Sequence, residues 1–277
     1  MVGETNMNDS IQQEEKNNPD NLPFVAPCNT LPIFAAKDWL TLGWEDYKKA
    51  KKLSLISGAS FIVASYIFTF LSWKWGGAVL LFSLLSGFVF VAPILALGLY
   101  SISCQLSSGF EPKFMYSFRE GKRHMGNVAV FSLLLLIILL VWVRAGSAIH
   151  IFFPMSEDPR LSEMVTFFTV GSAVGSIFAF VVFCTAAFSL PMMMDRKADA
   201  ITAVLSSVNA VKKNKVACLI WVGVIFIFTL LNIVTGFLSM VITMPLLGYA
   251  TWHGYKQTIV SEQWPKNRKY NDGNPGK

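Results

Sequence analysis

LTLGWEDYKK at residues 40–49 is followed by two decapeptides of the same pattern, FMYSFREGKR at 114–123 and VLSSVNAVKK at 204–213. Each has a bulky apolar residue at its first and fifth positions, ends in a basic pair and precedes a long apolar stretch. Each apolar stretch later contains a proline, Pro93, Pro191 or Pro245. The pattern therefore predicts three copies of one unit, a short amphipathic helix followed by two membrane crossings.

The composition indicates a membrane protein. Of the 277 residues, 53% are hydrophobic and only 14% are charged, and the mean hydropathy is +0.50, which is too apolar for an ordinary soluble domain. The net charge of +6 would suit a nucleic-acid partner only if the basic residues formed one face of a soluble fold. They lie instead in short clusters beside apolar stretches, where contact with the lipid bilayer and its anionic headgroups accounts for them. We expect no nucleic-acid partner.

The lengths of the apolar stretches predict six crossings. About 20 apolar residues span the roughly 30 Å of bilayer hydrocarbon. The last stretch, 216–253, has 38 residues, and the turn-forming Asn232, Thr235 and Gly236 favour two helices over one long tilted helix. We predict an all-α membrane protein with six transmembrane helices, arranged as three parallel repeats of an amphipathic interfacial helix and a transmembrane hairpin. The predicted spans are 54–72, 77–100, 127–149, 164–192, 216–232 and 236–253.

The distribution of Lys and Arg predicts the orientation. Twenty of the 23 fall at the two ends of the chain or in the connections 101–126 and 193–215, and only Lys74, Arg144 and Arg160 fall on the other side. Since positive residues concentrate on the cytoplasmic side, both termini are expected there. Residues 1–23 are polar and do not resemble a signal peptide. We expect a disordered cytoplasmic segment at 1–35, a membrane domain at 36–262 and a disordered cytoplasmic tail at 263–277.

The amphipathic helices supply candidate residues for contact with lipid or a partner protein. In the first, apolar residues recur at helical spacing with lysines off that face, and in the third Ile201, Val204, Leu205, Val208 and Val211 form a stripe. Such helices either dock lipid or a partner on the cytoplasmic face, or serve as lead-in helices packed against the bundle. The candidates are Trp39, Trp44, Tyr47, Lys48, Lys49, Phe118, Lys122, Arg123, Lys212 and Lys213.

Small residues and prolines supply candidates for helix packing and bending. Gly171, Gly175 and Ala179 form a small-residue ridge, which permits close packing inside the bundle or dimerisation. Pro93, Pro191 and Pro245 weaken the local helix hydrogen bonding, so each is a candidate kink with a shared structural role or a gating hinge.

The sequence offers little for chemistry. His124, His150 and His253 are divided between the two predicted sides, so they cannot converge on a haem or copper. The four cysteines lack zinc spacing, and no hydrolase or nucleotide-binding motif occurs. We expect no enzymatic activity, no cofactor and no metal. No Asp or Glu lies within a predicted span, which argues against a pump built on buried carboxylates.

Four segments resemble one family. They are DWLTLGWED at 38–46, APILALGLYSIS at 92–103, DAI at 199–201 with AVKKN at 210–214, and MPLLGYATWHGY at 244–255. Over about residues 35–262 the chain resembles an uncharacterised bacterial inner-membrane family, domain of unknown function 2189. The chain departs from it at Ser101, Cys104, Gln105 and Ser107, where members carry Glu, two Arg and Glu. The resemblance implies no activity, and the three separated histidines argue against the label of cytochrome c oxidase subunit that some members bear.

Two functional hypotheses follow. The first is a non-catalytic membrane protein that organises lipid or partner proteins through its cytoplasmic amphipathic basic helices. The second is a transporter or channel for a small neutral solute, suggested by the internal repeats and the prolines. Because the repeats share one orientation, alternating access through inverted repeats does not apply.

Overall fold

The computed structural model of the chain describes residues 22–113, 125–153 and 160–267. Within these ranges the regular secondary structure is helical, with turns, irregular segments and two isolated β-bridges beside it, so the all-α prediction is confirmed for them. The second decapeptide, 114–123, lies outside the described residues. The helices are α1 (Ala35–Lys49), α2 (Lys51–Trp75), α3 (Ala78–Ser107), α4 (Met125–Phe152), α5 (Leu161–Ala186), α6 (Ser189–Asp195), α7 (Ala200–Lys213), α8 (Lys215–Val234) and α9 (Met240–Thr258).

In the part of the chain that the structure describes, five stretches of helix are long and apolar enough to cross a membrane, namely α2, α3, α4, α5 continued by α6, and α8. Only 11–33% of the most apolar window of each is buried inside the chain. Large side chains such as Phe70 and Ile227 are 50% and 62% exposed. So much exposed apolar surface is unfavourable in water, whereas it is well accommodated by the hydrocarbon of a bilayer. These helices are therefore suited to a lipid environment.

The last predicted span, 236–253, corresponds to α9, which is not among these five. The helix begins at Met240 and continues to Thr258, and its final turns carry His253, Lys256 and Gln257. These polar side chains lower its hydropathy. α9 is long enough to cross a membrane, but only its first half is apolar and its second half is polar.

The α8–α9 connection is a tight turn, as the sequence predicts, and the alternative of one long helix is wrong. The buried Asn232 accepts hydrogen bonds through Oδ1 from Ser239 Oγ at 2.6 Å and from Thr243 Oγ1 at 2.8 Å. Gly236 has a φ of 57°, a conformation that glycine adopts at little cost. The amide side chain of Asn232 thus ties the end of α8 to the start of α9.

Two helix junctions share one geometry. α1 passes into α2 through Ala50 (φ −105°, ψ 32°), and α7 passes into α8 through Asn214 (φ −114°, ψ 45°). At each junction the residue donates its N–H to the carbonyl four residues before it and accepts from the N–H four residues after it. In both places an amphipathic helix therefore leads, after a single non-helical residue, into an apolar one.

α9 packs antiparallel along α1 and α2, and glycines permit the close approach. A Cβ placed on Gly58 would lie 2.3 Å from the carbonyl oxygen of Val241, and one on Gly43 would lie 2.8 Å from the backbone nitrogen of Ala250. Both contacts are with backbone, which cannot move aside as a side chain can. Glycine is required at these crossings because any larger residue would force the helices apart.

The chain ends and the short helices form one further structural unit. Trp39 is at its centre, with its indole edge-to-face against Phe188 at 6.1 Å and against Trp221 at 5.4 Å between ring centroids. Met192 and Met193 are fully buried in the same cluster. We call this unit the terminal layer, and it comprises α1, α6, α7, the second half of α9 and the segments 22–34 and 259–267.

The prediction of disorder does not hold for residues 22–34 and 263–267. Ala26 donates its N–H to Ser206 Oγ, Asn29 donates its N–H to the Thr258 carbonyl, and Lys213 Nζ donates to the Cys28 carbonyl. At the other end, Asn267 Nδ2 donates to the carbonyl oxygens of Met193, Met194 and Arg196. Residues 1–21 and 268–277 lie outside the described residues.

Candidate functional site

A buried polar cluster joins α1, α3 and α9. His253 Nε2 lies 2.8 Å from Asp46 Oδ2, and Ser103 Oγ donates to the same carboxylate oxygen. Asp46 is 5% exposed and Ser103 is fully buried. A carboxylate oxygen only accepts, so the pairing places a proton on His253 Nε2.

The cluster contains serine, histidine and aspartate, but its geometry differs from that of a nucleophilic triad. In such a triad the imidazole accepts the serine proton on one nitrogen and donates to the carboxylate from the other. Here Ser103 Oγ and His253 Nε2 both face Asp46 Oδ2 and are 3.5 Å apart. With its proton directed at Asp46, Nε2 acts as a donor and cannot accept the serine proton. The arrangement instead connects three helices, α1, α3 and α9.

Sequence reasoning did not single out this cluster, although a signal was present. Asp46 lies at helical spacing from Trp39, Gly43 and Ala50, on the apolar stripe of the first amphipathic helix. An acidic residue on an apolar stripe requires a buried partner. The pattern could have predicted that a partner exists, but not that Ser103 and His253 supply it.

A second polar cluster is centred on Asp195. Its Oδ2 accepts from Tyr255 OH at 2.8 Å and from Lys256 Nζ and Arg196 Nε at 3.2 Å each. Arg196 also donates from Nη1 to the Trp264 carbonyl. Burial, together with the Asp195 charge, raises the pKa of Tyr255 well above its ordinary value. The cluster fixes the end of α6 against α9 and the chain after it.

The prediction that Trp39 and Tyr47 face lipid or a partner is wrong. Trp39 is 1% exposed, and its Nε1 donates to Gln257 Oε1 at 2.5 Å, while Tyr47 is 6% exposed. The apolar face of α1 is already covered by α9, as the lead-in alternative expects. Trp44 is 42% exposed, and Lys48 and Lys49 are exposed.

The apolar stripe predicted on α7 is only in part its packed face: Val211 is 2% exposed, and Val204 and Val208 pack against the core. α7 buries mainly small side chains, Ala203, Ser206, Ser207 and Ala210, while Ile201 and Leu205 are 60% and 42% exposed. Small residues let neighbouring elements approach closely. Lys212 and Lys213 are exposed. The other candidates, Phe118, Lys122 and Arg123, lie outside the described residues.

The predicted small-residue ridge does not mediate close packing within the described part of the chain. A Cβ on Gly171 would meet no atom within 4 Å, and one on Gly175 would meet only Trp142 Nε1 at 4.0 Å. Ala179 is exposed. Gly175 and Ala179 instead border an open space.

The three candidate kinks behave differently. Pro93 and Pro245 lie inside uninterrupted helices. Near Pro191 the helix is broken, because α5 ends at Ala186 and α6 begins at Ser189. The ring of Pro191 would clash with the carbonyl four residues earlier, that of Ala187, which lies in this break.

The space beside α5 is a cavity of about 990 Å³ between α5 and α8. These two helices are not extensively packed against each other. Phe180 and Phe183 line one wall, and Leu219 and Phe226 line the other. Lys212 and Lys215, which flank the α7–α8 junction, also line it. The cavity is apolar along its length with positive charge at one end.

No group of three His, Cys, Asp or Glu side chains is placed to hold a metal ion in residues 22–113, 125–153 and 160–267. The four cysteines, all in this part of the chain, are unbridged. As candidate sites the described residues thus offer the polar clusters around Asp46 and Asp195 and an apolar cavity with a basic end.

Long apolar helices with exposed apolar side chains define the class of this chain, an integral membrane protein. Residues 80–195 match the model of a family described as predicted integral membrane protein (DUF2189), which confirms the expected family over that range. The motif at 92–103 lies inside the match, and the motifs at 38–46, 199–214 and 244–255 lie outside it. No curated protein matches the chain, and no solved structure does.

Proposed function

We propose that the chain is a non-catalytic, six-span protein of a bacterial inner membrane with both termini in the cytoplasm. Its basic terminal layer binds anionic lipid headgroups and thereby organises lipid or partner proteins. The observation that carries this proposal is the placement of exposed lysines at both helix junctions, where an apolar helix begins.

The lysine clusters are free to bind anions. Lys48, Lys49, Lys51 and Lys52 surround the Ala50 junction, and all four are exposed. None is paired with a carboxylate among the described residues. A lysine beside an anionic membrane surface contributes about 1 kcal/mol to binding. Four such residues in a row favour contact with phosphate headgroups.

The matching junctions support the repeat architecture. The Ala50 and Asn214 junctions have similar backbone angles and the same hydrogen-bond pattern, as two copies of one unit require. In this architecture α9 is the sixth crossing, returning to the side of α1. The clustering of lysines at both junctions supports a cytoplasmic terminal layer by the positive-inside rule.

Lipid organisation is favoured over transport of a polar solute by the side chains around the cavity. Ser176 Oγ and Thr229 Oγ1 donate to carbonyl oxygens of their own helices, at 2.7 Å and 2.8 Å. Hydroxyl groups bonded in this way have little capacity to replace the hydration of a solute. A non-catalytic role is favoured by the Asp46–Ser103–His253 geometry, which leaves no base for the serine.

Cysteine labelling tests the architecture. In a variant without native cysteines, single cysteines at Gly77, Gly236 and Asn267 are treated with a membrane-impermeant maleimide on intact cells. We expect labelling at 77 and 236, and labelling at 267 only after the membrane is opened. Labelling of both Gly77→Cys and Asn267→Cys on intact cells would exclude the six-span architecture, because five crossings separate the two positions in it.

Lipid enrichment tests the function. The protein is reconstituted into nanodiscs of phosphatidylcholine and phosphatidylglycerol at 4:1, and the lipids nearest the protein are quantified by mass spectrometry after partial delipidation. We expect enrichment of phosphatidylglycerol, reduced when Lys48, Lys49, Lys51 and Lys52 are all replaced by Gln. Lys74→Gln, at the opposite end of α2, is the control. Equal retention of the two lipids by the unmodified protein would refute the proposal.

A further inference from the structure

The cavity between α5 and α8 lacks a protein occupant among the described residues. Phe180 and Phe226, from opposite walls, are 61% and 60% exposed, and Leu219 is 70% exposed. Facing apolar walls this far uncovered require an apolar filling, since neither water nor a void stabilises them. Bilayer hydrocarbon supplies such a filling.

The lysines at one end of the cavity determine which kind of molecule it selects. Lys212 and Lys215 stand on either side of the buried Asn214, at the end of α7 and the start of α8. Neither ammonium group pairs with a carboxylate among the described residues. Two uncompensated positive charges at the mouth of an apolar space select a molecule with an anionic head and an apolar chain.

We propose that this cavity binds one anionic phospholipid of the cytoplasmic leaflet, with its phosphate between Lys212 and Lys215 and an acyl chain between the aromatic walls of α5 and α8. The proposal rests on the proposed function, because it assigns a discrete site to the lipid class that the terminal layer attracts. The cavity volume, about 990 Å³, lies at the upper end of the roughly 300–1,000 Å³ of small-molecule sites. Bound lipid would bridge two helices that do not otherwise pack together.

The small residues of α5 gain a role in this site. Gly175 and Ala179 form part of the α5 wall, where larger side chains would occupy the space proposed for the acyl chain. A neutral lipid would fill the space between the walls but leave the lysines unmatched, and a zwitterionic lipid would place its own positive group near them. Anionic phospholipid satisfies both ends of the cavity.

Native mass spectrometry of the detergent-purified protein tests the site, with added phosphatidylglycerol or phosphatidylcholine as probes. We expect one tightly retained phosphatidylglycerol per chain. The double variant Lys212→Gln, Lys215→Gln should bind it about 30-fold more weakly, given what each lysine contributes. Lys37→Gln, an exposed lysine away from the cavity, should leave binding unchanged.

Filling the cavity tests the apolar walls separately. Ala179→Trp on α5 and Val222→Trp on α8 should each abolish the retained lipid, while Ile177→Trp, on α5 but outside the cavity, should not. Thermal stability identifies any variant that misfolds, and the two walls provide independent variants. Phosphatidylglycerol enrichment in nanodiscs that persists in both filled variants, together with an unchanged retained lipid, would overturn this site and leave the proposed function standing. Loss of enrichment in the unmodified protein would overturn both.

Discussion

His253 Nε2 and Asp46 Oδ2 are 2.8 Å apart, although 207 positions separate the two residues in the chain. The pair connects the last helix to the first, and Ser103 brings in α3 through the same carboxylate oxygen. A buried carboxylate depends on every hydrogen bond it accepts, because water cannot replace a missing donor. This dependence makes the cluster sensitive to small changes.

Ser103→Ala should lower the free energy of unfolding by about 1–3 kcal/mol, because it leaves the Asp46 carboxylate short of a donor. Urea unfolding in mild detergent, followed by tryptophan fluorescence, measures the change. Ser108→Ala, at the C-cap of the same helix, is the matched control, since Ser108 is exposed and its hydroxyl donates only to the Cys104 carbonyl. Equal stability of the two variants would contradict a structural role for the cluster.

Gly58→Ala should destabilise the α2–α9 crossing by about 1–3 kcal/mol, because its Cβ would overlap the backbone of Val241. Gly223→Ala is the control, since a Cβ there meets nothing within 4 Å, and it should stabilise α8 by up to about 1 kcal/mol. Thermal unfolding of both variants in the same detergent provides the comparison. Opposite signs are expected, and a stabilised Gly58→Ala would show that the helices do not meet there.

Trp39→Ala should cost about 3–5 kcal/mol, as expected for a large side chain removed from a packed core. Trp44→Ala, five residues later and 42% exposed, should cost much less. The two variants separate a packing role of α1 from a lipid-facing role. Only the packing role makes the free energy of unfolding depend on Trp39. If Trp39→Ala altered lipid enrichment while leaving stability intact, its burial would be refuted.

The Asp195–Tyr255 contact predicts a loss of stability at alkaline pH. Burial raises the pKa of Tyr255 in the folded chain, whereas in the unfolded chain the phenol titrates near pH 10. Above about pH 10 the unfolded state loses this proton first, so the stability from Tyr255 is complete below that pH and is lost as the pH rises. Tyr255→Phe should therefore lose less stability than the unmodified protein between pH 9 and 11. Parallel stability curves would contradict the raised pKa.

The helices were predictable because apolar length and turn residues are local signals. The α8–α9 turn follows from Asn232 and Gly236, and the five apolar helices follow from hydropathy. What each amphipathic face packs against was harder to predict. The sequence around Trp39 is equally compatible with contact to a lipid headgroup and with burial in a core. Its burial depends on Phe188, Trp221 and Gln257, which lie far along the chain. Likewise, the Gly171–Ala179 ridge has the spacing of a packing motif, but no other helix approaches it closely among the described residues.

The terminal layer imposes an order on synthesis. Residues 26–29 and Trp39 are synthesised well before their partners at Trp221 and Gln257–Val260. At about 5–20 residues per second, the Trp39 indole would wait roughly 10–40 s for Trp221. The first hairpin must therefore persist in the membrane without its final packing, and emergence of residues 257–260, rather than insertion of any single helix, sets the moment at which the nascent chain can close on itself.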